Sequence, residues 1–208
     1  MTEPRQGDAP RIHPTAIVEA GVEIGPRTAV WDNVHLRGPS RIGRDCIIGE
    51  KTYVAYGVTI GDCVKINAQV YVCTGVTIED RVMIAAGVLF TNDRYPRAFV
   101  PGRDGLAPSG VTEDTLEAVV RTGATIGAGA VIGPGIEVGR YAMVGMGAVV
   151  ARDVPPHGLV FGNPARLRGW VCVCGTPLED HAERLRCSRC GQRFARPVGA
   201  ETGGLAPL

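Results

Sequence analysis

The chain has 208 residues and a formal net charge of +1, with 22 basic and 21 acidic side chains. So balanced a charge gives no global field that would draw the protein to nucleic acid or to an anionic membrane. No stretch is long and apolar enough to span a bilayer, and Met1–Pro10 lacks the apolar core of a signal peptide, so a cytoplasmic protein is expected. Seven cysteines in such a setting point to thiols or a metal site rather than a disulfide framework.

Residues 1–11 read as a polar, flexible arm. From Ile12 an aliphatic or aromatic residue then falls at every sixth position: Val18, Ile24, Val30, Leu36, Ile42, Ile48, Val54, Ile60, Ile66, Val72, Ile78, Ile84 and Phe90. The count stops at Asn92 and resumes at Val120, Ile126, Ile132, Val138, Val144 and Val150. Gly often follows the apolar residue, as at Gly25, Gly43, Gly61, Gly127 and Gly145. Four places after it the residue is small or β-branched, as at Ala16, Thr28, Val58, Ala124 and Ala148. A helix repeats at 3.6 residues and a free strand at 2; a strict six predicts a solenoid of short strands and corners. Three units close a triangular coil, and stacked coils bury a continuous apolar column that no single unit could bury alone. At the inter-strand spacing the stack is about 32 Å tall.

Asn92–Val119 interrupts the repeat with Arg94, Tyr95, Pro96 and Arg97, a Pro/Gly-rich stretch and the acidic run 112–117. A loop of that length inside a regular solenoid is often functional. The second repeat section ends at Pro155-Pro156, and Gly162-Asn163-Pro164-Ala165-Arg166 forms an exit turn. The domain predicted over residues 12–170 is followed by a Cys-rich unit at 171–196 and a flexible tail at 197–208.

The hexapeptide repeat, the segment Phe90-Thr91-Asn92-Asp93-Arg94-Tyr95-Pro96-Arg97, the restart Gly123-Ala124-Thr125-Ile126-Gly127 and the exit turn resemble the left-handed β-helix acyltransferases. Within them the likeness is to the acetyl-CoA-dependent enzymes that acetylate the 3-amino group of nucleotide-linked amino sugars, such as UDP-2-acetamido-3-amino-2,3-dideoxy-glucuronate. Trp31-Asp32-Asn33-Val34-His35 fits the same subgroup. The likeness implies an all-β, left-handed parallel β-helix and a homotrimer with active sites between subunits. It also implies a role in cell-surface polysaccharide synthesis, and a departing CoA sulfur able to take the amine proton.

Asn92 is the candidate catalytic residue: its side-chain oxygen can accept from the acceptor amine and leave the lone pair free, although an Asn at a loop entry is also an ordinary turn residue. His35 is a tempting base. The repeat stacks it in one column with Tyr53, Tyr71 and Leu89, which puts it about 14 Å from Asn92 by strand spacing. That leaves a contact to the nucleotide end of the substrate or an ordinary corner role. Arg94 and Arg97 offer forked donors for a diphosphate or carboxylate, or are solvated loop charges; Tyr95 stacks on the sugar or packs the loop. The likeness lays CoA along the C-terminal coils, with Gly127, Gly145 and Ala148 beside the pantetheine arm and Arg152, Arg166 and Arg168 for its phosphates; the fold alone equally demands such small residues.

Cys172-Val173-Cys174 and Cys187-Ser188-Arg189-Cys190 look like a zinc ribbon with one shortened knuckle, suited to a structural zinc, with His181 a possible replacement ligand and free or redox thiols the alternative. Cys46, Cys63 and Cys73 read as packing residues. Other readings are an O-acetyltransferase or different acyl donor on the same fold, and a non-catalytic trimeric scaffold. A β-helix carbonic anhydrase needs three zinc-binding histidines in the coils, and only His35 lies in a repeat.

Overall fold

A computed structural model describes residues 8–181, 184–196 and Leu205. The arm before residue 8, most of the tail and the His181 side chain lie outside the described residues. Among those described there is no helix, and so none long and apolar enough to cross a membrane.

Three parallel sheets wall a prism. The first contains Arg11–Ile12, Ala29–Val30, Ile47–Ile48, Lys65–Ile66, Met83–Ile84, Thr125–Ile126, Met143–Val144 and Gly158–Phe161. The second contains Ile17–Val18, His35–Leu36, Tyr53–Val54, Tyr71–Val72, Leu89–Phe90, Val131–Ile132 and Val149–Val150. The third contains Val22–Ile24, Ser40–Ile42, Thr59–Ile60, Val76–Ile78, Ala118–Val120 and Glu137–Val138. The chain visits the walls in turn, and partners such as Arg11 and Ala29, or Lys65 and Met83, stand one coil of 18 residues apart.

From Val30 to Phe90, and again from Val120 to Val150, every sixth residue is at most 3% exposed. Each buried aliphatic side chain contributes about 2 kcal/mol. Ile12 and Val18 are 44% and 37% exposed because no coil lies beneath the first. The small position is also inside the prism, at the corners. There Thr28 donates to the Gly43 carbonyl at 2.7 Å and accepts from the Cys46 amide at 3.0 Å, satisfying backbone groups that the turn leaves unpaired. Most corners carry one left-handed residue: Arg27, Asp45, Cys63 and Arg81, one coil apart, have φ between 56° and 59°. Cys63 is therefore an exposed corner residue, whereas Cys46 and Cys73 are buried as expected.

Across the break Val76 pairs with Ala118 and Ile78 with Val120. That separation is 42 residues in place of 18, which extrudes 24 residues without breaking a wall. Ala118 and Val119 thus belong to a strand, not to the loop. Arg121 clamps the seam, donating to Glu79 at 2.9 Å and Glu137 at 2.6 Å.

The stack also runs on past Pro155-Pro156. Val138 bridges Val154 and Met143 pairs with Leu159, so the last coil is two residues short. Gly158–Phe161 then pairs antiparallel with Arg166–Trp170, which covers that edge of the sheet. At the other end Arg11, assigned to the arm, is already in a strand.

The Cys-rich unit is a three-stranded antiparallel sheet of Leu178–His181, Arg184–Cys187 and Arg193–Ala195. Its small core joins Cys172, Leu185, Cys187, Phe194 and Leu205, so at least Leu205 of the tail is packed rather than free. His157 fastens the unit to the prism. Its ring lies 5.3 Å from Tyr141 and 5.2 Å from Phe194, and Nδ1 donates to the Val171 carbonyl at 2.9 Å. Burial pushes its pKa below the ordinary imidazole value.

Candidate active site

The outward column of the second wall is His35, Tyr53, Tyr71 and Leu89, in the register the repeat predicts. Tyr53 and Tyr71 stack at 5.2 Å with their rings 6° apart, and His35 meets Tyr53 edge-on at 5.4 Å. Beyond this wall the chain turns a corner, with Arg37, Ala55, Cys73 and Thr91 in one column and Gly38, Tyr56, Thr74 and Asn92 in the next. Asn92 is the point at which the coil opens into the loop.

The loop returns beside its own start. Asp93 bridges Thr115, whose hydroxyl donates to the Asp93 carboxylate at 3.1 Å, and the Leu116 amide donates to the Asn92 carbonyl at 2.7 Å. The Asn92 side chain is half-buried and donates through Nδ2 to the Thr74 carbonyl one coil below, at 3.1 Å. That bond fixes which way the amide faces. Its Oδ1 is the free acceptor, with no partner among the described residues.

A cleft of about 250 Å³ follows this corner. Tyr53, Tyr71 and Cys73 form one side; Ser109, Gly110 and Val111 of the loop form the other; Asn92 stands at the head and Arg37 at the foot. Burial pushes the Cys73 thiol up to about 11, so it stays protonated at neutral pH and is no nucleophile.

Of the residues picked from sequence for acceptor binding and catalysis, only Asn92 lines the cleft. His35 lies outside it, paired through Nε2 with Glu19 at 2.9 Å. That pairing is the main reason the Glu19 carboxyl titrates below its ordinary value. Arg94, Tyr95 and Arg97 are exposed and also lie outside: the Asp93–Thr115 bridge closes the loop's neck, and the residues just beyond project into solvent. Among the described residues Arg97 donates only to its neighbour's carbonyl, that of Pro96. Arg37, Tyr56, Cys73 and the 109–111 strip were not selected from sequence. Stepping down by 18 from Thr91 reaches Cys73 and Arg37, and from Asn92 reaches Thr74 and Tyr56, so the signal for Arg37, Tyr56 and Cys73 was present; the 109–111 strip has none, because the loop has no period.

On the C-terminal coils, Gly127 and Gly145 are explained by stacking alone. A Cβ on Gly127 would lie 2.5 Å from the Met146 amide nitrogen, and one on Gly145 would lie 2.7 Å from Phe161 Cβ. Ala148 has its methyl fully buried in the core, so packing demands its small size as well. Arg152, Arg166 and Arg168 are exposed. Arg166 pairs directly with Phe161, and the Arg168 guanidinium lies 5.7 Å from the same ring's centre.

The Sγ atoms of Cys172, Cys174, Cys187 and Cys190 all lie within 4.8 Å of one another, with Cys172–Cys190 and Cys174–Cys187 at 3.5 Å. Tetrahedral zinc with bonds of about 2.3 Å separates its sulfurs by about 3.8 Å, so the four thiols fit such an ion. Hydrogen bonding from Thr176 pulls Cys174 down to about 6, which supplies a thiolate at neutral pH, while burial pushes Cys172 up to about 12.

Models of the bacterial transferase hexapeptide (six repeats) match residues 21–56 and 57–92, and the hexapeptide repeat of succinyl-transferase matches 122–152. The chain is 39% identical over 76 residues to a dTDP-3-amino-3,6-dideoxy-alpha-D-galactopyranose 3-N-acetyltransferase of Aneurinibacillus thermoaerophilus, which is 36% of this chain and 39% of that protein. Among solved structures, WeeI from Acinetobacter baumannii AYE is 27% identical over 70% of this chain and 57% of its own, with a TM-score of 0.50. PerB from Caulobacter crescentus, solved with CoA and GDP-perosamine, is 25% identical over 77% and 57%, with a TM-score of 0.43. The chain thus spans 39% of the curated relative and 57% of each of these solved chains. By its repeat, its register and the matching family models, the chain is a left-handed parallel β-helix of hexapeptide repeats, and it resembles the nucleotide-linked 3-amino-sugar N-acetyltransferases.

Proposed function

We propose that the protein transfers an acetyl group from acetyl-CoA to the 3-amino group of a nucleotide-linked amino sugar in cell-surface polysaccharide synthesis. The observation that carries this reading is Asn92: a half-buried amide at the head of a cleft, oriented by Thr74 so that its oxygen is the free acceptor. Such an oxygen accepts one N–H of a neutral amine and aims the lone pair at the thioester carbon. The C–N bond forms, the C–S bond breaks, and the CoA sulfur leaves with the proton that the amine gives up. The sequence likeness to an enzyme whose own substrate is a dTDP-linked 3-amino sugar supports the same class of acceptor.

The assembly we propose is a homotrimer with active sites between subunits, CoA lying along the C-terminal coils near Arg152, Arg166 and Arg168. Leu89 and Met146 stand exposed on the outside of the prism, apolar surface that a neighbouring protomer would cover. We assign one structural zinc to Cys172, Cys174, Cys187 and Cys190, on the fit of their sulfurs; it would hold together a unit too small to fold on its apolar core alone. Both co-substrates are cytoplasmic metabolites, and we assign the protein there. The test is release of free CoA from acetyl-CoA with a panel of 3-amino nucleotide sugars beside their 3-hydroxy counterparts. Turnover of the amines supports the reading; turnover of the hydroxyl sugars alone makes the protein an O-acetyltransferase, and turnover of neither leaves a scaffold.

A further inference from the structure

Arg94 and Arg97 do not line the cleft, so the anionic part of a nucleotide sugar needs another partner. Among the described residues Arg37 is the one cation that lines it. Its guanidinium is held from behind. Nε donates to the Glu19 carboxylate at 3.2 and 3.4 Å, and the group lies 5.5 Å from the Tyr56 ring centre, with Nη1 3.5 Å from the Tyr53 hydroxyl. Glu19 is itself fixed by His35 at 2.9 Å and by the Gly38 amide at 3.4 Å. The Nη2 edge has no partner among the described residues.

We propose that Arg37 is the diphosphate-recognition residue of the cleft, reading the acceptor's nucleoside diphosphate through its free guanidinium edge. This deepens the acetyl-transfer reading and borrows from it the position of the amine. The spacing fits. The Arg37 backbone is three coils below Thr91, but its side chain reaches up to Tyr53 and Tyr56, which leaves two coil steps, about 10 Å, to the level of Asn92. In a 3-amino nucleotide sugar the path from amine nitrogen through C3, C2, C1 and the glycosidic oxygen to phosphorus spans about 6 Å by bond lengths. One hydrogen bond of about 3 Å at each end brings the total to about 12 Å. The charges fit as well: acidic Asp93 stands with Asn92 at the head, where the amine end of the acceptor binds, and Arg37 stands at the foot, where the diphosphate does. His35 and Glu19 then have a defined task, to hold the guanidinium edge-on to the cleft.

The experiment is calorimetric titration of UDP, dTDP and GDP into the wild-type protein and into Arg37→Ala and Arg37→Lys. Kinetics follow on a nucleotide-linked 3-amino sugar and on the free 3-amino sugar. At least one nucleoside diphosphate should bind the wild type, and Arg37→Ala should weaken it by about tenfold or more, as expected for a lost charge-assisted hydrogen bond. KM for the nucleotide-linked acceptor should rise with a far smaller change in kcat, and the kcat/KM preference for it over the free sugar should fall towards one. Lys should restore part of the affinity and not the full forked contact. If Arg37→Ala is misfolded by circular dichroism, Arg37→Lys and Arg37→Gln carry the same comparison. Wild-type protein that binds none of the three, or an Arg37→Ala that binds as tightly, overturns the inference. Arg37-dependent nucleotide binding without acetylation of any amino sugar would sink the acetyl-transfer reading and leave this one standing.

Discussion

Replacing Asn92 by Ala separates a catalytic amide from a turn residue. The backbone bond that brings the loop home, from the Leu116 amide to the Asn92 carbonyl at 2.7 Å, survives the change. What goes is the side-chain bond to Thr74 and the free oxygen above the cleft. The structural loss is one half-buried hydrogen bond, about 1 kcal/mol, so the protein should fold and melt slightly earlier. The catalytic loss is larger: an amine no longer held in line should cost about 100-fold in kcat, about 2.7 kcal/mol at the barrier. Affinity for CoA should hardly move. Asn92→Asp is the sharper variant, because a carboxylate oxygen in place of Nδ2 meets the Thr74 carbonyl as acceptor against acceptor; it should lose at least as much. Both are read by CoA release under saturating substrates, with thermal melts alongside. A kcat for Asn92→Ala within about threefold of wild type refutes the role given to this oxygen.

Cys187→Ser should release about one zinc per chain and unfold the three-stranded sheet, and metal analysis that finds no zinc in the untreated protein would end the assignment. Light scattering at micromolar concentration should give the mass of three chains; a monomer would remove the shared active site. His35→Ala should leave kcat close to wild type and raise KM, since the ring touches Glu19 and not the cleft; loss of turnover would make His35 the base after all. His157 is held below its ordinary value by burial, so the unfolded chain takes up that proton first. Its contribution is full above about pH 6.5 and is lost as the pH falls towards the folded value. Between about pH 7.5 and 5.5 the wild type should therefore lose more melting temperature than His157→Phe, and equal losses would show that this imidazole is not the linked group.

The period of six carries the walls, the 18-residue register and the buried column, because in a solenoid each residue's neighbours are set by counting. The same counting placed His35 under Tyr53 and Tyr71, away from Asn92, and the register agrees. Carried two residues further round the corner it reaches Arg37, and there the chemistry of His35, a base by habit, had drawn attention from the cation beside it. Where counting fails, the sequence is silent. The loop has no period, so nothing in its sequence says that Asp93 closes against Thr115 and turns Arg94, Tyr95 and Arg97 outward. The last coil drops two residues at Pro155-Pro156, which looks like an ending in sequence and is a shortcut in space, since Met143 still finds Leu159. Small residues are ambiguous for a third reason. Gly127 and Gly145 are demanded by the coil above, and Ala148 by the core, so smallness there reports packing before it reports a ligand. A side chain in this fold is informative about function when the repeat does not require it: the free oxygen of Asn92, and the unclaimed edge of Arg37, are such exceptions along one corner of the prism.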